Sequence, residues 1–294
     1  MNDMEYTVRH ANNRAKAKKI TGRVLIYLLM TALAFILVFP YFFMVLRGLM
    51  TSGQVQKFPV EIFPAPFSIE AWVQLFAENN YFSYLIQTLK IIVFNLIAIP
   101  LSASFVAYGF SKYNFKGKKL IFSIMLGTMM LPGAVVQIPL YVMFNSFHWL
   151  DTLLPLTIPN LFGGGAIYVF LIRQYMIGVP YELEEAAKID GANPIQRYFK
   201  IMLPLCVPVL VFIMVTVFNA NWSDFYGPLL YLSQEGKDTL AYAIFKDSLY
   251  TFVTPDKANL KMAAGTFMSI FPAIVFLIFQ KQLIEGISTS ALKG

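Results

Sequence analysis

A single cysteine, Cys206, excludes an intrachain disulfide. The two histidines, His10 and His148, come with no H-E-x-x-H or C-x-x-C spacing, so a metal centre or a membrane metalloprotease has no ligand set. No G-x-x-x-x-G-K-[ST] occurs, because "FKGKKL" and "QEGKDT" both lack the upstream glycine, so the chain has no phosphate-cradling loop with which to hydrolyse ATP. Paired acids, or a nucleophile set beside a base, are also missing, which disfavours a membrane enzyme. Charge itself is scarce. Only 13% of the residues are Asp, Glu, Lys or Arg, too few to cover a soluble globular surface.

What is present is oil. The 294 residues are 57% hydrophobic with 28 Phe and a mean hydropathy of +0.61. A helix needs about 20 apolar residues to cross a bilayer. Six segments qualify: 24–46, 84–110, 120–144, 157–177, 205–228 and 263–284. Strand-like alternation is absent, so helices are the only way to satisfy the backbone in hydrocarbon. The run from Val24 to Leu46 is too long for a secretion signal and is followed by no small-residue cleavage site, so it reads as a retained span. Six spans put both termini on one side. That side carries 16 of the 23 Lys and Arg, from Arg9–Arg23, Lys112–Lys119, Arg173–Lys200, Lys281 and Lys293, which makes it cytoplasmic. The net charge of +7 needs no nucleic acid, since basic flanks hold helices in a membrane.

Residues 1–22 read as a polar, basic cytoplasmic tail, disordered or lying on the anionic membrane surface. Residues 23–284 form the six-helix domain, and 285–294 a second cytoplasmic tail. The outer loop after the first span holds an amphipathic stretch at Ile69–Phe76, with Trp72 and Phe76 as interface anchors. Prolines at 40, 100, 132, 139, 159, 208 and 272 fall in or beside spans. Each frees a carbonyl and bends its helix, as in a protein enclosing a path, although proline is also commoner in membrane helices generally. Gly163–Gly165 read as close helix packing rather than a hinge. The polar residues Lys90, Asn95, Gln137, Asn145, Asn160, Asn219, Asn221 and Asp224 fall in or near spans, where helix-to-helix hydrogen bonding is their commonest role.

"EEAAKIDGANPIQRYFKIMLP", residues 184–204, is the densest mixed-charge stretch in the second half. Its spacing predicts two short helices at a corner. Pro180 suits a first helical position, Glu182, Glu184 and Glu185 suit a helix N-terminus, and Glu184 and Lys188 make an i, i+4 pair. Gly191 ends the first helix; Asn193, Pro194 and Gln196 have the pattern of a capping box that starts the second. The stretch fits a plain cytoplasmic hairpin as well as an element that enters a groove on another protein.

The same stretch resembles the EAA loop of ABC-importer permeases, in the match Glu185, Ala186, Ala187, Asp190, Gly191, Leu203 and Pro204. "PGAVVQIPLYVMFNSFHWLDTLLPLTIPNLFGGGAIYVFLIRQYM" and "NANWSDFYGPLLYL" resemble carbohydrate-importer permeases of the maltose-transporter type, with Ser223 where Asn is usual. The ending "FQKQLIEGISTSALKG" is similar to that of the smaller of the two permeases of this type. The likeness covers about residues 20–294.

The resemblance implies an all-α type I importer permease in a bacterial cell membrane: six transmembrane helices and a cytoplasmic coupling helix within the loop 179–204. It implies a second permease subunit, two ATPase subunits that carry ATP and Mg, an extracytoplasmic solute-binding protein and a carbohydrate substrate. This chain itself holds no cofactor, metal or catalytic residue. Glu184, Glu185, Ala186, Ala187, Asp190, Gly191 and Pro204 are the coupling residues, and Ser290, Ala291, Leu292, Lys293 and Gly294 are the tail that reaches the ATPases. Asn219, Trp222, Asp224 and Tyr226 are candidates to line the solute path, since amides and carboxylates pair with hydroxyls and aromatic faces pack on sugar C–H surfaces. The alternatives are the same machine with a non-sugar solute, or a secondary transporter without ATPases; the latter wants mid-span acids as ion ligands, and none is present.

Overall fold

A computed structural model describes residues 3–77, 80–233, 237–251 and 257–291. Among them the chain is helical throughout: α1 Asp3–Arg47, α2 Ser52–Val55, α3 Glu70–Ala77, α4 Tyr81–Lys112, α5 Lys118–Gly127, α6 Gly133–Ser146, α7 Leu154–Thr157, α8 Ala166–Ile177, α9 Glu182–Ile189, α10 Pro194–Arg197, α11 Leu203–Leu205, α12 Val207–Trp222, α13 Tyr226–Tyr231, α14 Leu240–Thr251 and α15 Ala258–Ala291.

Four helical stretches are each long and apolar enough to cross a membrane: Lys19–Arg47, Tyr81–Lys112, Leu154–Ile177 and Ala258–Leu283. Two more crossings arise only if a bent pair counts as one span. Lys118–Met130 and Gly133–Ser146 meet at 100°, and Pro194–Leu205 and Val207–Trp222 at 74°. The expected third and fifth spans are therefore broken helices. Pro132 causes the first break. The second lies at Cys206, just past Pro204, where the π turn Tyr198–Met202 widens the helix and makes room for the proline ring. The second hairpin helix thus runs on past Pro204 instead of ending there.

The basic tail is corrected as well. Its backbone is helical from Asp3 and continues the first span without interruption, where disorder is one of the two expectations. Ala, Lys and Arg dominate that stretch and are strong helix formers, and the first proline is Pro40.

The chain divides into two compact units, one of residues 1–73 and 255–266, the other of 74–254 and 267–294. In the first, Gly48 and Gly265 bring α1 and the start of α15 together. A Cβ on Gly48 would lie 3.1 Å from the Ala263 backbone, and Met44 Sδ lies 3.0 Å from where one on Gly265 would sit. Asn259 Nδ2 donates to Met50 O at 3.2 Å. The loop after α2 in this unit presents Phe58, Phe63 and Phe67 exposed, whereas Trp72 is half-buried.

The second unit is built on α4, which packs on α8, α12 and α14. Ile99, Ala103 and Ala107 form an i, i+4 ridge on α4, and the two alanines are fully buried. Small residues at that spacing let a neighbouring helix approach closely, and Val169, Ile172 and Met176 of α8 with Ile213 and Val217 of α12 complete the core. Phe76, expected at the membrane interface, is partly exposed and packs edge-on against Phe267 at 5.1 Å. At the end of α4 away from Lys112, Thr88 Oγ1 accepts from Leu240 N at 2.8 Å and the Tyr81 hydroxyl donates to Asp247, which fastens α14. Beside it, Asp238 accepts from Lys246 Nζ at 2.8 Å, and that hydrogen bond, against some desolvation, holds the ammonium above the ordinary lysine range.

Candidate functional site

Two polar constructions stand out in the second unit. The first is the hairpin α9–α10 at the end of α4 that carries Lys112. Gly191 takes φ +82°, a left-handed conformation that glycine adopts at little cost, and reverses the chain. Asn193 Oδ1 then accepts from Gln196 N, and Gln196 Oε1 accepts from Asn193 N, both at 2.9 Å, completing the capping box read from the sequence. The first helix begins at Glu182, after Pro180 rather than with it.

Cations tie the spans together on free carbonyls beside this hairpin. Lys112 Nζ donates to Val179 O at 3.2 Å and Arg173 Nε to Phe110 O at 3.2 Å, with the Arg173 guanidinium 4.3 Å from the Phe122 ring centroid. Carbonyls near a helix C-terminus lack partners and attract positive charge, which explains the basic residues here. Ser104 Oγ and the Tyr198 hydroxyl lie 2.8 Å apart, tying the π turn to α4.

The expected coupling residues divide by direction. Glu185, Ala186, Asp190, Gly191 and Pro204 are exposed; Glu184, at 3% exposure, and Ala187 are buried. Glu184 consequently makes no surface pair with Lys188: the ion pairs among the described residues are Lys57–Glu61 and Lys246–Asp238. Leu183, Ile189 and Ile195 are exposed beside Glu185, giving the hairpin a mixed acidic and apolar outer face. Of the tail, Leu292, Lys293 and Gly294 lie outside the described residues, and Ser290 and Ala291 belong to the last turn of α15.

The second construction joins three spans through amides. Asn95, fully buried on α4, donates to Leu156 O at 3.0 Å and to Asn221 Oδ1 at 2.7 Å, and accepts from Asn160 Nδ2 at 3.0 Å. Asn160 also donates to Leu156 O, and Asn221 to Val217 O. A few residues on, Gly163, Gly164 and Gly165 have φ of +95°, +61° and +130° and break the fourth span. They do more than pack closely. A Cβ on Gly164 would sit 2.6 Å from Ile99, so both the conformation and the space demand glycine. Ser102 Oγ, which donates to Ala98 O of its own helix at 2.6 Å, pins the break by accepting from Gly163 N at 3.2 Å, with Asn160 O 3.3 Å away.

The path candidates are dispersed around this knot. Asn219 is exposed and bonds its own helix at Val215 O. Trp222 is buried, donates Nε1–H to Met268 O at 2.8 Å and packs between Phe218 and Phe271, so its ring is committed inside the chain and offers no face to a solute. Asp224 caps α13, accepting from Tyr226 N and Gly227 N at 3.0 and 2.9 Å, while Tyr226 is exposed. Sequence reasoning missed Tyr108, Tyr113 and Arg197, which meet beneath the hairpin; the local signal was a tyrosine pair next to the basic cluster of Lys112–Lys119.

Long apolar helices, three of the expected spans interrupted, and an ordered polar hairpin between two of them define a polytopic helical membrane protein. Residues 99–289 match the model of the family described as "Binding-protein-dependent transport system inner membrane component", and the chain belongs to that family. It is 29% identical over 285 residues to the arabinooligosaccharides transport system permease protein AraQ of Halalkalibacterium halodurans, covering 94% of this chain and 100% of that one. It is 28% identical over 290 residues to the galactooligosaccharides transport system permease protein GanQ of Bacillus subtilis, covering 95% and 98%. The fold is similar to that in the crystal structure of a bacterial ABC transporter involved in the import of the acidic polysaccharide alginate, with a TM-score of 0.77 and 21% identity over 90% of this chain and 97% of that one.

Proposed function

We propose that the chain is one of two permease subunits of a binding-protein-dependent ABC importer for oligosaccharides. Its hairpin couples solute passage to separate ATPase subunits, and both termini are cytoplasmic. The reading rests on family membership joined to one observation, the exposed acidic and apolar face of α9 around Glu185 and Gly191 on a hairpin that is otherwise bonded down to the spans. Among the described residues nothing covers that face, and the absence of a nucleotide-binding loop requires the hydrolysis to occur elsewhere.

A sugar substrate is supported by the relatives, which are named for arabinooligosaccharides and galactooligosaccharides. An extracytoplasmic binding protein is supported by the similar alginate transporter, solved in complex with an alginate pentasaccharide-bound periplasmic protein. Thr216, Asn219 and Ser223 form an exposed polar stripe on α12. Polar groups avoid hydrocarbon, so this stripe faces the solute path or the second permease, with Asp224 and Tyr226 just beyond it. Trp222 supports the wall from behind. The whole of 23–284 acts as the permease domain.

The solute class is tested by reconstituting the purified complex with its binding protein and measuring ATP hydrolysis with arabino- and galacto-oligosaccharides, amino acids and peptides. Stimulation by oligosaccharides is expected; stimulation by a non-carbohydrate alone would overturn the assignment. Removing Ser290–Gly294 is expected to lower coupled ATP hydrolysis while leaving assembly intact, because the resemblance of the C-terminal stretch places it against the ATPase subunits. Unchanged transport after truncation would remove the tail from the coupling path.

A further inference from the structure

Glu184 is a carboxylate where none is comfortable. It lies on the inner face of α9 at 3% exposure, and its Oε1 is buried without a hydrogen-bond partner. An ionised group costs far more than a neutral one to hold out of water unless it is paired. Arg197, on the other arm of the hairpin, has the complementary defect: Nη2 reaches the Tyr113 hydroxyl at 3.3 Å, while its buried Nε has no acceptor. Both side chains lie within electrostatic reach of Tyr108 near the end of α4, whose buried hydroxyl likewise has no hydrogen-bond partner among the described residues. Tyr108 in turn packs edge-on against Tyr113, with ring centroids 5.5 Å apart. A carboxylate short of a donor and a guanidinium short of an acceptor thus flank one tyrosine, with no ion pair formed between them.

We infer that Glu184 and Arg197 are positioning residues that pair across the hairpin in a second conformation of the chain, setting the angle of α9 on the end of α4. The inference rests on the coupling role proposed above and assigns Glu184 a place apart from Glu185: Glu185 faces outward to a partner, and Glu184 faces inward to α4. In the present conformation the pair is open, and α9 is held instead through Lys112 and the Val179 carbonyl. Closing the pair satisfies both orphaned atoms at once, so the hairpin has two arrangements, which a load on α9 can exchange.

The test is a double-mutant cycle in the purified complex of this chain with its second permease and ATPase subunits. Glu184→Gln, Arg197→Gln, the double variant and the exchange E184R/R197E are compared for ATP turnover and for Tm. Each single variant is expected to lower turnover by about tenfold or more, with the double variant no worse than either single. Activity of the exchange variant above that of Glu184→Gln is the expected rescue. Independent, multiplicative losses in the two Gln variants would overturn the pair even if the exchange variant fails to fold. A fall in Tm with turnover per folded complex unchanged would reduce both residues to packing and also overturn it. Crosslinking from Ile189→Cys to an ATPase subunit separates the two readings. A crosslink without coupling between positions 184 and 197 overturns only the pair; coupling without a crosslink keeps the pair and overturns the docking role of the hairpin.

Discussion

Tryptophan in place of Gly191 is expected to abolish transport while the chain still inserts and folds, and alanine at the same position to leave most of the transport in place. The left-handed φ of +82° costs any other residue about 1–2 kcal/mol, and that cost is common to both variants. A side chain starting there meets nothing within 4 Å in this chain. Gly191 is itself exposed and its Cβ direction is open, so the indole leaves toward solvent, and a loss beyond that of alanine points to a surface outside the chain. Loss with tryptophan but not with alanine marks the corner as docked in a partner's cleft. Equal transport by both variants would leave the hairpin without a partner, and equal loss would reduce Gly191 to a backbone requirement. Membrane insertion is followed by fractionation and transport by uptake of labelled oligosaccharide. Because Ala187 is buried and Ala186 and Ile189 are exposed, cysteines for crosslinking belong at the latter two.

The spans were legible because hydrocarbon accepts only long apolar helices, and composition over about 20 residues reports that directly. Where they break was less so. Pro40, Pro100, Pro139 and Pro272 all lie inside continuous helices, whereas Pro132 sits at a 100° bend, and of the five only Pro132 is followed by glycine, a turn dipeptide that the apolar run around it obscures. A neighbouring helix decides whether the freed carbonyl is tolerated in line. The hairpin corner was legible since a left-handed glycine and a capping box are local chemistry, complete within Gly191–Gln196. The direction of Glu184 was not. Three acids open α9, two exposed and one buried; Glu184 shares the inner face with Ala187, and which face turns inward is set by how the hairpin packs on the spans. Trp222 shows the same limit: an aromatic near a span end reads as an interface or sugar-binding residue until Met268 O is found at its indole nitrogen.

Asn95→Leu is expected to cost the protein about 2 kcal/mol or more, a drop in Tm of ~4 °C or more, because it removes three hydrogen bonds that join α4, α7 with its following turn, and α12. Interhelical hydrogen bonds in membranes are worth ~0.6 kcal/mol each on average and up to ~1.7, so three at one buried residue reach this size. The shape of leucine suits the site, but Asn221 Oδ1 loses its donor and one Asn160 N–H its acceptor. Asn95→Asp is expected to be worse, although it is closer in size. Its carboxylate would face Leu156 O and Asn221 Oδ1, two acceptors, where the native amide donates to both, and a charge would enter a position with no exposure at all. Ser102 and the glycine break depend on the same alignment, since the turn that carries Asn160 O is pinned from both ends. Transport is therefore expected to fall with stability, and thermal melts of the purified complex give the order wild type, Asn95→Leu, Asn95→Asp. If Asn95→Asp melts with the wild type, the three amides are bystanders and the break in the fourth span is held by the packing of Gly164 on Ile99 alone.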